Sequence, residues 1–218
     1  MSITLLSPAG YRRFPWKNGG GVTVDIAAER LDGYPEGGWQ GLVWRFGRTT
    51  IPAPGPFSDL AGFDRCQVVI GGAGLVLVTP DGEIDLRQPF APVRYRGEVP
   101  ITSRLEQGPV EVVNLIADRS RVAIDLAVLQ AGDSLAVLPG CHVLHAPTTP
   151  AALLLGPQAG LSGVTKALAI ALAPDHAAQI TLAGAAGLRC EAGTCLVASI
   201  LPHAACSFAP FEKRASLR

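Results

Sequence analysis

Runs of five to eight residues rich in Val, Ile, Leu and Thr recur along this 218-residue chain, and glycine or proline stands between most of them. The runs are Val22–Ala28, Leu42–Arg48, Cys66–Ile70, Leu75–Thr79, Val110–Ala117, Val122–Leu129, Ser134–Leu138 and Cys195–Ile200. Such lengths suit strands better than helices, so the pattern predicts an all-β sandwich or barrel. The 25 glycines and 18 prolines are scattered rather than massed, as turn punctuation is. Thr79-Pro80-Asp81-Gly82-Glu83 predicts a hairpin turned at Asp-Gly, and Gly71-Gly72-Ala73-Gly74 a second bend. Ala151–Ala173 is long enough for a helical turn or two, which periodicity does not decide.

Charge narrows the partners. Eighteen basic and eighteen acidic side chains cancel, and no basic stripe offers itself to a phosphate backbone, so nucleic acid is not an expected partner. Ala151–Ala173, the most apolar stretch, is interrupted by Gly156, Pro157, Gln158, Gly160, Ser162, Gly163 and Lys166, so no membrane span is expected either. The first ten residues lack a basic region followed by an apolar run, and five cysteines form no even disulfide framework. The expectation is a cytoplasmic protein with reduced thiols.

Composition changes near residue 120: 25 of the 36 charged residues and 11 of the 13 aromatics come before it. Two β units of about 100 residues, 1–120 and 121–218, are therefore expected, with function in the first.

Four segments of that first half concentrate polar and aromatic groups. Trp16-Lys17-Asn18-Gly19-Gly20-Gly21 precedes a strand. Its glycines permit close backbone approach, but a Walker loop would place the lysine after the glycines and a helix behind it. In Leu42–Arg48, alternation places Leu42, Trp44, Phe46 and Arg48 on one face and Val43, Arg45 and Gly47 on the other. A guanidinium inside a strand is either paired with an internal carboxylate or kept for an anionic ligand. Around Gly55–Arg65, Ser58 and Arg65 are candidate carboxylate donors, and Asp59 and Asp64 candidate partners for the arginines. Along Val110–Ile116, Asn114 shares a face with Val110, Val112 and Ile116, as a structural amide or a ligand contact.

In order and spacing, Trp16–Gly21, Trp44-Arg45, Gly55-Pro56-Phe57-Ser58 with Gly62-Phe63-Asp64-Arg65, and Asn114-Leu115-Ile116 resemble the HutD/Ves family over roughly residues 1–120. The resemblance implies a bicupin, two β-barrels packed as one unit. It also implies a role in bacterial histidine utilisation, in which a small catabolite such as N-formylglutamate is bound and pathway expression is limited. Two departures stand out. The family's usual Asp-Phe-Asn is Val112-Val113-Asn114 here, and the second half keeps only Gly132-Asp133, Pro139-Gly140 and His142 of a degenerate cupin motif.

Most catalytic cupins hold a transition metal with a His-x-His pair, a carboxylate and a later histidine, a set this chain lacks. Its histidines, His142, His145, His176 and His203, all lie in the second half. His142 and His145 would face opposite sides of a strand, and Cys190, Cys195, His203 and Cys206 are spaced more like a hairpin with buried thiols than a zinc knuckle. No metal or cofactor is expected. The expected site is the first barrel, with Arg45 and Arg65 gripping carboxylate oxygens and Lys17 adding charge at the rim. Asn18, Ser58 and Asn114 would read amide or carbonyl groups between walls of Trp16 and Trp44. The expected partner is a small anionic metabolite, and barrels of this kind also suggest a homodimer through sheet edges. The competing reading is a metal-independent isomerase or hydrolase with Asp25, Asp59, Asp64 or Glu111 as its acid or base.

Overall fold

The computed structural model describes residues 1–15, 21–157 and 166–203. In chain order the strands are β1 (Ser2–Leu6), β2 (Arg12–Pro15), β3 (Val22–Arg30), β4 (Leu42–Ile51), β5 (Gly55–Pro56), β6 (Phe63–Gly71), β7 (Leu75–Thr79), β8 (Gly82–Asp85), β9 (Val93–Arg96), β10 (Thr102–Leu105) and β11 (Val110–Asp118). The second half continues with β12 (Val122–Gln130), β13 (Ser134–Val137), β14 (Gly140–His145), β15 (Ala151–Gly156), β16 (Leu168–Leu172), β17 (Ala177–Leu182), β18 (Ala186–Ala192) and β19 (Thr194–Pro202). A 3-10 turn at Pro8–Gly10 links β1 to β2. Among the described residues, no helix is long and apolar enough to cross a membrane.

Each half is a pair of antiparallel sheets. In the first, the sheet β2-β3-β4-β11-β6-β9 faces the smaller sheet β5-β10-β7-β8; in the second, β1-β17-β14-β19-β12 faces β13-β18-β15-β16. Alternation along the long strands sorts the apolar residues into three layers. Ile51, Val69, Leu75, Leu77, Ile101 and Val112 fill the first sandwich, and Leu144, Leu153, Ile180, Leu188 and Val197 fill the second. Between the halves, Trp44, Phe46, Val68 and Leu115 from the six-stranded sheet pack against Leu126, Leu196 and Ile200 from the five-stranded one. The two barrels are therefore joined by a continuous apolar layer.

Two expectations need correction, and one reading left open is filled in. Asp118–Val122 is a tight turn where the halves meet, yet 1–120 is not one unit: β1 pairs with β17, from Ser2 opposite Thr181 to Leu6 opposite Ala177, so the first strand belongs to the second barrel. Ala151–Ala173, which periodicity left undecided, holds β15 and β16, paired from Ala151–Leu172 to Leu155–Leu168, and residues 158–165 between them lie outside those described. The hairpin at Thr79 forms, but Thr79 pairs with Gly82, so Pro80-Asp81 is the turn and Gly82, at φ 125°, opens β8.

Candidate functional site

The inner face of the six-stranded sheet carries polar side chains where its neighbours carry valine and leucine. Ile116 on β11 pairs with Arg45 on β4 and with Arg65 on β6, so the two guanidiniums flank one residue in a single cross-strand row. Asn114 pairs with Gly47 and Gln67 in the next row on that face. Arg45 and Arg65 are each only 9% exposed, deep enough that solvent does little to screen their charge.

The two arginines differ in their surroundings. Arg65 lies 5.2 Å from the Phe57 ring centroid and 5.1 Å from that of Tyr95. Its Nη2 donates a long 3.4 Å hydrogen bond to Asn114 Oδ1, and its buried Nε has no hydrogen-bond partner. Among the described residues, no carboxylate comes within 4 Å of it. Tyr95 Oη in turn donates to Gln67 Oε1 at 2.8 Å. Burial pushes the Tyr95 phenol up to about 12, so it acts here as a neutral donor.

Arg45 is partnered. Its Nε lies 3.6 Å from Asp25 Oδ1, and its guanidinium stacks 4.3 Å from the Trp39 ring centroid. Asp25 lies on the inner face by alternation with Thr23, and β3 shifts register just after it, between Asp25 and Ala27. The opposing residue is Gly47, where a Cβ would sit 2.5 Å from Val24 O and 3.3 Å from Asp25 Oδ1. Asp25 Oδ1 is buried without a hydrogen bond. Burial raises the Asp25 carboxyl above its ordinary range despite the opposing pull of Arg45, Arg30 and Arg12. Burial likewise lowers the Arg45 guanidinium, with Asp25 acting the other way.

The structure thus brings together Arg45, Arg65 and Asn114 of the expected set. Trp44 is a correction: it is 1% exposed on the opposite face, in the layer between the barrels, with Nε1 donating to Glu29 Oε2 at 2.7 Å. Strand alternation already placed it away from Arg45, and Trp39, in the loop before β4, is the ring that covers the arginine. Ser58 is exposed, and its neighbour Phe57 is the residue that reaches Arg65. Trp16, Lys17 and Asn18 lie outside the described residues. Nothing in the sequence singled out Gln67, Tyr95 or Trp39 for this site; the register of β6 with β9 and β11 brings in Gln67 and Tyr95, and the loop before β4 brings in Trp39.

Of the candidate acids, only Asp25 faces the cluster. Asp64, on the other side of β6, pairs with Arg94 at 2.8 Å and Arg119 at 3.3 Å. Asp59 is exposed. Glu111 accepts from Arg48, whose other nitrogen donates to Asp175 Oδ2 at 2.7 Å, a bridge between the barrels. The interior of the first barrel, with two guanidiniums, two carboxamides and one carboxylate, does not fit a transition-metal site, which needs several imidazole, thiolate or carboxylate lone pairs. Among the described residues, no group of three His, Cys, Asp or Glu side chains is placed to hold a metal ion.

The second barrel has no comparable cluster among its described residues. His142 is locked there: its Nδ1 meets Ser199 Oγ at 3.0 Å and its Nε2 meets Leu138 O at 2.8 Å. His145, three residues on, lies on the opposite side of β14, edge-on to Phe46. Cys190 and Cys195 are free buried thiols in the core of that barrel.

Comparison with known proteins agrees with this architecture. A solved conserved protein of unknown function from Pseudomonas aeruginosa PAO1 superposes with a TM-score of 0.71 at 20% identity, covering 92% of this chain and 99% of its own. HutD from Pseudomonas fluorescens SBW25 gives 0.70 at 25% identity, covering 93% and 100%. Oxalate decarboxylase from Lactobacillus farciminis gives 0.56 at 7% identity, covering 93% and 86%, a likeness of fold alone and consistent with a bicupin. An uncharacterized 21.2 kDa protein in the hutC 3' region of Pseudomonas putida is 32% identical over 114 residues, 52% of this chain; the chain spans 57% of that relative's length. The family model HutD matches residues 9–194, and on that match the chain belongs to the HutD family.

Proposed function

We propose that the first barrel binds a small carboxylate, N-formylglutamate or a related intermediate of histidine breakdown, and that its occupancy limits expression of histidine-utilisation genes. The observation that carries this reading is Arg65: a buried guanidinium flanked by two aromatic rings, with no carboxylate within 4 Å among the described residues. A cation so placed is costly to hold unless an anion visits it. Charge-assisted contacts to a guanidinium are worth about 1.5–3 kcal/mol each, so one at Arg65 together with two amide contacts supports affinity of roughly millimolar to tens of micromolar.

The test is a thermal-shift screen over histidine-pathway carboxylates, since a ligand that binds only the folded form raises Tm by mass action. N-formylglutamate should stabilise the protein, and Arg65→Met should lose that shift while remaining folded. No stabilisation by any of these acids would overturn the reading. A metal-independent enzyme is the second reading, favoured by the buried Asp25 oxygen that lacks a hydrogen bond beside Arg45. Release of formate from N-formylglutamate by chelator-treated protein would establish it.

A further inference from the structure

The site has two guanidiniums and one inward-facing carboxylate, and the carboxylate is the odd member. A residue whose only task was to neutralise Arg45 would be expected to hydrogen-bond it, because a charged donor and acceptor gain most at 2.7–2.9 Å. Asp25 does not. It stands 3.6 Å from Arg45 Nε, is 7% exposed, and keeps Oδ1 without a hydrogen bond. The sheet leaves room for it there: the residue opposite in β4 is Gly47, whose added Cβ would come 3.3 Å from Asp25 Oδ1.

Building on the carboxylate-binding reading above, we propose that Asp25 couples ligand binding to proton uptake: an anion entering beside Arg45 and Arg65 is accompanied by a proton onto Asp25. With Asp25 ionised, two guanidiniums and one carboxylate leave a single positive charge in the cluster. A dianion such as N-formylglutamate would turn that into a net negative charge at low dielectric, and its carboxylate would face Asp25 directly. A proton from solvent removes the repulsion, and the new O–H can donate to the incoming carboxylate. Nothing covalent changes: one proton moves from buffer to a carboxylate oxygen.

The charges around Asp25 support this. Arg12 on β2 pairs with it in register but is exposed and engaged with Glu36. Arg30, on β3 itself, donates to Gly38 O at 2.6 Å. Arg45 on β4 is the near cation, and Arg65 lies beyond Ile116 on β6. Tyr95 on β9 stays neutral, and the first 120 residues contain no histidine. Burial already holds Asp25 above the ordinary carboxylate range, and a second anion moves it further the same way.

The experiment is calorimetric titration of N-formylglutamate at pH 5.5, 6.5, 7.5 and 8.5, each in two buffers of different ionisation enthalpy. Wild type should take up a substantial fraction of a proton on binding, with Kd rising up to tenfold per pH unit where uptake is complete. Asp25→Asn should bind several-fold more tightly at pH 8.5 and lose the uptake. Binding without proton uptake in wild type overturns the role of Asp25 and leaves the carboxylate reading standing; no binding at any of these pH values overturns the carboxylate reading itself. If Asp25→Asn fails to fold, the two-buffer comparison on wild type decides alone.

Discussion

At the scale of single residues, the site turns on the difference between two arginines that look alike in sequence. Both sit inside strands with hydrophobic neighbours, and only the register of β3 with β4 shows that Arg45 has a carboxylate beside it while Arg65 has rings. Arg45→Ala should therefore lower stability as well as binding, by about 1–3 kcal/mol, because it strands Asp25 as a buried uncompensated charge. The double variant Arg45→Ala/Asp25→Asn should recover part of that loss in denaturant melts, the positive coupling that a contacting pair shows. A second residue-scale effect lies between the barrels. Burial lowers His145 from 6.5 to about 4, and its Nε2 faces Asp175 Oδ1 at 4.0 Å. Its folded pKa is below its unfolded one, so the unfolded chain binds the extra proton between those values. Stability is then full above about pH 6.5 and falls as pH drops toward 4, by on the order of 3 kcal/mol. His145→Gln should flatten the slope of Tm against pH across that window, whatever it does to Tm at neutral pH.

At the scale of elements, the long apolar strands were legible and most of the short or alanine-rich ones were not. Val22–Ala28, Leu42–Arg48, Cys66–Ile70 and Val110–Ala117 became β3, β4, β6 and β11, the four adjacent strands at the centre of the larger sheet, because a strand between two cores must be apolar on both sides. Strands such as Ser2–Leu6 or Ala177–Leu182 are short, or rich in alanine and polar residues, and tertiary pairing rather than propensity makes them strands. The same logic explains which parts of the site could be foreseen. Arg45, Arg65 and Asn114 lie on those central strands, whereas Trp39 and Phe57 approach from loops whose path no periodicity encodes. β4 makes its own prediction. Gly47→Ala drives a methyl group to 2.5 Å from the Val24 carbonyl oxygen, an atom held in the sheet, so β3 must shift. A loss of about 1–3 kcal/mol is expected, seen as a drop of several degrees in Tm.

At the scale of the whole molecule, the barrels are held by an apolar layer edged with polar ties. Tyr11 Oη donates to Asp175 O at 2.6 Å, and Arg48 spans Glu111 and Asp175. Tyr11→Phe removes one such tie and should cost about 1 kcal/mol in chemical denaturation, with the midpoint lowered and the slope unchanged. The placement of β1 has a larger effect. The chain lays down one strand, leaves it waiting, builds a full barrel, and returns some 170 residues later to close the seam with Ala177–Leu182. A growing chain therefore carries the β1 flank unbuttoned until β17 has been made, while the first barrel can already close.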